Sequence, residues 1–293
     1  MLMEPVLSPE QQSSSSSRGL DFIYIGTPKA GSTWLFEALR EHPDARLLAS
    51  KSSTHFETDN PGPIGDYRKL LTRLDPGGKA GEIAHDAYIY GGTAQRLRDA
   101  FPQVKVLACL REPGDFARSM LSWLATHTNL YGSNVAEITA HPHYHAVMDY
   151  VGKLAPFYEL FAREQVKVVF FDDFAADAVG FYREICAFLG LSSEFRPEVL
   201  ERVVNPARPP RVAALTHSIF RAGRIERAIG LGGLVEGAKR SKLMEGVLYA
   251  QPSSEVDPAI HEAAARTRAA ARPRLDELEA LIGRPVPPAW RGE

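Results

Sequence analysis

Residues Asp21-Phe-Ile-Tyr-Ile-Gly26 form a short run of β-branched and aromatic side chains that halts at Gly26-Thr-Pro-Lys-Ala-Gly31. From Thr33 to Glu41 the apolar residues Trp34, Leu35, Ala38 and Leu39 return at helical spacing. A buried strand, a glycine-bounded loop and a helix in that order leave the first amides of the helix without intrahelical acceptors. With the helix dipole behind them, those amides form a cradle for an anion. Such a unit cannot stand alone, because a strand that is apolar throughout must be covered on both faces.

The rest of the chain supplies the cover. Lys79–Ala84, Lys105–Leu110 and Val166–Phe171 read as further strands, and Thr93–Ala100, Asp115–Ala125 and Ala178–Leu189 as helices among them. Strands alternating with helices predict an α/β fold, a single domain with a central parallel sheet flanked by helices. Ligands then gather at the carboxyl ends of the strands, in the loops after Gly26, Ala84, Leu110 and Phe171. The 293 residues, 44% of them hydrophobic, suffice for one such domain over 20–293. Residues 1–19, with five serines at Ser13–Ser17, lack apolar periodicity and read as a disordered leader. Pro258–Ile282 reads as one long helix, while Ser50–Tyr67 and Asn129–Tyr150 read as irregular walls of a pocket.

Charge narrows the function. Thirty-four basic against thirty-six acidic residues give a net charge of −2, which excludes the diffuse positive field of a non-specific nucleic-acid binder. No apolar run nears the ~18 residues of a membrane span, so no stable membrane insertion is expected. Cys109 and Cys186 sit inside apolar runs and read as buried thiols of a cytoplasmic protein. Homo-oligomerisation is left open.

Set against G-x-x-x-x-G-K-[ST], Gly26, Gly31 and Thr33 are in register, but the lysine slot holds Ser32 and Lys29 lies two residues before Gly31. A displaced lysine suits a phosphate ester of another shape than the β/γ-phosphates of ATP. One feature points the other way: Val168-Val-Phe-Phe171-Asp172 is patterned like a strand whose aspartate holds magnesium, as in a P-loop small-molecule kinase.

Thr27-Pro-Lys-Ala-Gly-Ser-Thr-Trp-Leu35 resembles the 5′-phosphosulfate loop of sulfotransferases that use 3′-phosphoadenosine 5′-phosphosulfate (PAPS). Lys105-Val-Leu-Ala-Cys-Leu-Arg111-Glu-Pro-Gly-Asp-Phe-Ala-Arg-Ser119 is similar to their 3′-phosphate strand–loop–helix. His42-Pro-Asp44 and the closing Leu281-Ile-Gly283-Arg with Trp290 resemble the bacterial and heparan-type branch. The resemblance implies a P-loop-like fold and transfer of a sulfuryl group to a small-molecule hydroxyl, leaving 3′,5′-adenosine bisphosphate, without a metal. It implies cofactor contacts at Lys29, Ala30, Gly31, Ser32, Thr33, Trp34, Arg111 and Ser119, with Lys29 on the leaving oxygen. Arg208 and Arg211 join them on charge alone.

The chain departs from that branch twice. Lys51-Ser-Ser-Thr-His55-Phe56 carries a serine where the branch has a glutamate, proposed there as base. Glu82-Ile-Ala-His85-Asp86 lacks the branch's lysine after the glutamate. His85, just beyond a strand and of a type that titrates near neutrality, is the first candidate for the general base; His55, Glu82 and Asp86 are the alternatives. The acceptor is expected to be a bacterial secondary metabolite or a glycolipid, on an arginine-rich composition, 25 of 34 basic residues, that suits a GC-rich genome.

Overall fold

A computed structural model describes residues 18–127, 134–201 and 257–292, so most of the leader, Arg208 and Arg211 lie outside the described residues. Strand β1 (Phe22–Gly26) is buried at every position, as its unbroken apolar run requires. It lies between β3 (Lys79–Ile83) and β4 (Lys105–Leu110), with β2 (Ala45–Leu47) outside β3 and β5 (Val166–Phe170) outside β4. All pairings are parallel, with Phe22 opposite Gly81 on one side and Lys105 on the other. The chain therefore first builds one side of β1 and then crosses to the other, which opens a crevice at the carboxyl ends of β1 and β4.

Alternation along the strands sends side chains into two cores. Phe22, Tyr24, Leu107, Cys109 and Val169 pack with α1 (Ser32–Glu41) and α9 (Ala178–Leu189). Ile23, Ile25, Val106, Ala108, Leu110 and Val168 face the other way, under a larger layer. That layer includes α3 (Thr93–Ala100), α4 (Pro113–His127), α7 (Tyr150–Leu160), α10 (Pro258–Ala271) and α11 (Leu275–Ile282). Among the described residues no helix is long and apolar enough to cross a membrane.

Five stretches differ from the sequence expectation. Strand β2 has three residues, too few to show an alternation. Within Ser50–Tyr67, Phe56 and Tyr67 are core, and α2 (Ile64–Leu71) buries Tyr67 and Leu71 while showing water its polar side. Residues 134–150 form α5 (Val135–Ala140) and α6 (Pro142–Met148) and bury Val135, Ile138, Tyr144, Val147 and Tyr150; helices this short hold too few repeats to be read. The long C-terminal helix is broken at Arg272-Pro273-Arg274, where Pro273 has no N–H to continue the ladder. A short helix, α8 (Phe171–Ala176), takes the place of the loop after β5, and α12 (Pro288–Arg291) buries Trp290.

Gly81 is glycine because its neighbour fills the space: a Cβ there would lie 2.1 Å from the Phe22 ring. Gly81→Ala should lower stability by about 1–3 kcal/mol through overpacking. Urea unfolding beside Gly91→Ala, where a Cβ would meet nothing within 4 Å, measures it; equal midpoints would show that the ring moves aside freely.

Candidate active site

Two hydrogen bonds pin the loop after β1 to the crevice: Thr27 donates its N–H and its hydroxyl to the Cys109 carbonyl, at 2.9 and 3.0 Å. Tyr24 donates its hydroxyl to the Thr27 carbonyl at 3.0 Å. Gly31 then turns the chain with φ 82°, a left-handed conformation natural to glycine, and α1 starts at Ser32. The Ser32, Thr33 and Trp34 amides, in the first turn, point toward the loop without helical partners. Trp34 itself is buried against Phe174, Phe181 and Tyr182.

Three cations converge here. Lys29 lies 5.8 Å from the Trp123 ring, and burial, then Lys51 and Arg111, lower its pKa to about 8 against the pull of Asp86. Lys51 reaches in from the segment after β2 and donates to the Thr33 hydroxyl at 2.9 Å. Sequence reasoning passes over Lys51 as a cation of this loop, since it stands 18 residues beyond Thr33. The strand before it, β2, is too short to have signalled its place. Arg111, at the end of β4, donates to the Lys29 carbonyl at 3.0 Å, and its guanidinium lies 4.9 Å from the Phe171 ring. Burial lowers its pKa, with Asp115 opposing. Its Nε is buried with no hydrogen-bond partner among the described residues, a costly state for a donor unless another group completes it. Ser119 is half-buried one helical turn beyond Asp115, on the same side of α4.

Glu112 fixes the far side of the crevice. It accepts from the Gly114 and Asp115 amides at 3.0 and 2.8 Å and from Arg268 of α10 at 3.0 and 2.7 Å. Burial alone would raise its pKa; these bonds outweigh it and leave it lowered.

The candidate bases separate. His85, two residues past β3, has Nδ1 3.4 Å from Glu57 Oε1 and Nε2 3.7 Å from Asp86 Oδ2. Glu57 also accepts from the Asp86 amide at 3.0 Å and from the Ser52 hydroxyl; burial raises its pKa while His85 lowers it. Asp86 keeps 37% of its side chain accessible, yet burial pushes its pKa to about 6, opposed by Lys51, His143 and Lys29. His85 and Asp86 thus stand with the two lysines. Glu82 and His55 do not. Glu82 is 1% exposed, and its oxygens accept from the Ser53 amide and the Tyr67 hydroxyl, both at 2.7 Å, which makes it a strut for the 51–57 segment. His55 packs on Phe56 and Tyr67, with burial and Arg96 lowering its pKa.

The magnesium reading finds Asp172 elsewhere. It opens α8 behind the edge strand β5, with β4 between it and β1, and its Oδ2 accepts from the Trp290 indole at 3.2 Å.

The sequence profile of the sulfotransferase family matches residues 89–195. A sulfotransferase from Alicyclobacillus acidocaldarius superposes with a TM-score of 0.64 at 25% identity, covering 94% of this chain and 99% of that one. A sulfotransferase from Mycobacterium avium, at 11% identity and a TM-score of 0.50 over 92% of this chain and 78% of its own, shares the fold. No curated protein sequence matches the chain.

Removing Arg268 leaves Glu112, buried at the head of α4, without its cation. Arg268→Ala should cost about 1–3 kcal/mol, and Arg268→Lys should recover part of it. Urea unfolding measures both, and a wild-type midpoint in the alanine variant would mean that water or another cation replaces the arginine at no cost.

Proposed function

We propose that this chain, a member of the sulfotransferase family, takes its sulfuryl group from PAPS and transfers it to a hydroxyl of a small molecule. The observation that carries the donor is the buried Nε of Arg111, without a partner among the described residues, on a guanidinium that reaches the loop before α1 through the Lys29 carbonyl. A ligand with anions at two ends satisfies both. PAPS supplies a sulfuryl group on a 5′-phosphate that departs with the bond pair, and a 3′-phosphate besides. The amides and hydroxyls of Ser32 and Thr33 hold the 5′ end, and Lys29 neutralises the leaving oxygen. Arg111, with Ser119 on the adjoining helix, takes the 3′-phosphate as a planar fork.

His85 is the base of this proposal. Glu57 Oε1 lies 3.4 Å from its Nδ1, and Nε2, 3.7 Å from Asp86 Oδ2, takes the acceptor's proton. Transfer proceeds without a metal, because Lys29, Lys51 and the helix head supply the positive charge that an ion would bring. A bacterial secondary metabolite or glycolipid remains the proposed acceptor, on composition alone, and the cytoplasm the proposed location.

Two measurements test the reading. Arg111→Ala should weaken 3′,5′-adenosine bisphosphate by ~2–5 kcal/mol in calorimetry and the 5′-monophosphate far less; equal losses would remove the 3′-phosphate role. His85→Asn should slow transfer from labelled donor to a bacterial extract by about 10²–10⁴-fold while bisphosphate affinity holds. Near-normal turnover in that variant, together with its loss in Asp86→Asn, would move the role to Asp86.

A further inference from the structure

The lysine slot of the phosphate loop is filled by Ser32, yet an ammonium group stands at the head of α1. Lys51 Nζ lies 2.9 Å from Thr33 Oγ1 and 3.5 Å from Ser32 Oγ. The segment that brings it there is held on purpose-built contacts. The Ser52 amide donates to the Ile83 carbonyl at 2.9 Å and the Ser53 amide to buried Glu82 at 2.7 Å. Ser52 and Thr54 take φ of 70° and 68°, a left-handed backbone that a β-branched residue adopts only when its surroundings impose it.

This arrangement works against itself in the absence of an anion. Lys51 and Arg111 both disfavour the charged form of Lys29, and the positive end of α1 adds to the field; Asp86 acts on both lysines in the opposite sense. An anionic group between them turns the repulsion into attraction.

We propose that Lys51 is a second lysine of the transfer site, gripping the donor's 5′ end from the α1 side as Lys29 grips it from the loop. This rests on the reading of the crevice as a PAPS site. In the reaction, the acceptor oxygen bonds to sulfur as the bond from sulfur to the bridging oxygen breaks. The electron pair of that bond stays on the 5′-phosphate, which gains a negative charge, and the acceptor's proton passes to His85. Both lysines keep their protons and neutralise the new charge, so the ammonium group absent from the Ser32 slot is supplied from the segment after β2.

The test uses Lys51→Met, which keeps the length and packing of the side chain and removes its charge, with Lys51→Gln as a second variant should the first unfold. Calorimetry should show 3′,5′-adenosine bisphosphate weakened about tenfold or more, ~1.4 kcal/mol. Adenosine 3′-monophosphate, which lacks the 5′ group, should bind as to wild type. Carbon-13 NMR of the reductively methylated protein, which has nine lysines, should show Lys29 titrating higher than its wild-type value of about 8. Wild-type bisphosphate affinity in a folded Lys51→Met variant, or equal losses for both nucleotides, overturns the role of Lys51 alone. A wild-type protein that does not bind the bisphosphate overturns the donor reading and this inference with it.

Discussion

The amides at the head of α1 have no acceptors within their own helix, and the surroundings answer that one deficit. The Thr27 bonds to the Cys109 carbonyl fasten the loop to β4, which fixes where the amides point. Lysine and arginine side chains then gather at the same end of the same helix, adding positive charge to a place already positive. A concentration of like charge in a partly buried crevice costs free energy in the free protein, and an anion bound there would recover it.

Two buried carboxylates hold this charge in place, and each does so through backbone amides. Glu82 accepts from Ser53 and Tyr67 and so anchors the segment that carries Lys51. Glu112 accepts from Gly114 and Asp115 and is gripped by Arg268, so the turn beside Arg111 is tied to the C-terminal helix α10. Neither carboxylate neutralises the cation beside it. Both brace the backbone that carries those cations. Glu57 plays a third part of this kind, facing His85 from the side away from the two lysines' carboxylate neighbour Asp86.

How much of this is legible in the chain follows from how far apart the interacting residues are. Strands β1, β3, β4 and β5 are visible as apolar runs because a parallel sheet buried on both faces needs residues that are apolar on both sides, and Gly26 and Pro113 mark where two of them give way to loops. Lys29, Arg111 and the α1 amides are visible for a related reason: strand, loop and helix are adjacent in sequence, so the anion cradle is a local structure. Strand β2 and helices α2, α5 and α6 are too short to show a period.

What only the tertiary structure decided is which distant side chains meet at that cradle. Lys51 arrives 18 residues after Thr33, Glu57 faces a histidine on another strand's end, and Arg268 closes on Glu112 from 156 residues away. None of these pairs is tied by helical or strand periodicity, and each partner taken alone is an ordinary polar residue in a loop or on a helix. The sequence by itself determined four of the five strands, the loops at their carboxyl ends and one half of the candidate anion site, because hydrophobic burial and free helix amides are properties of contiguous segments. The approach of Lys51 to Thr33, the histidine's partners and the separation of Glu82 and His55 from the candidate bases were decided by strand order, which alone sets the loops that share an edge.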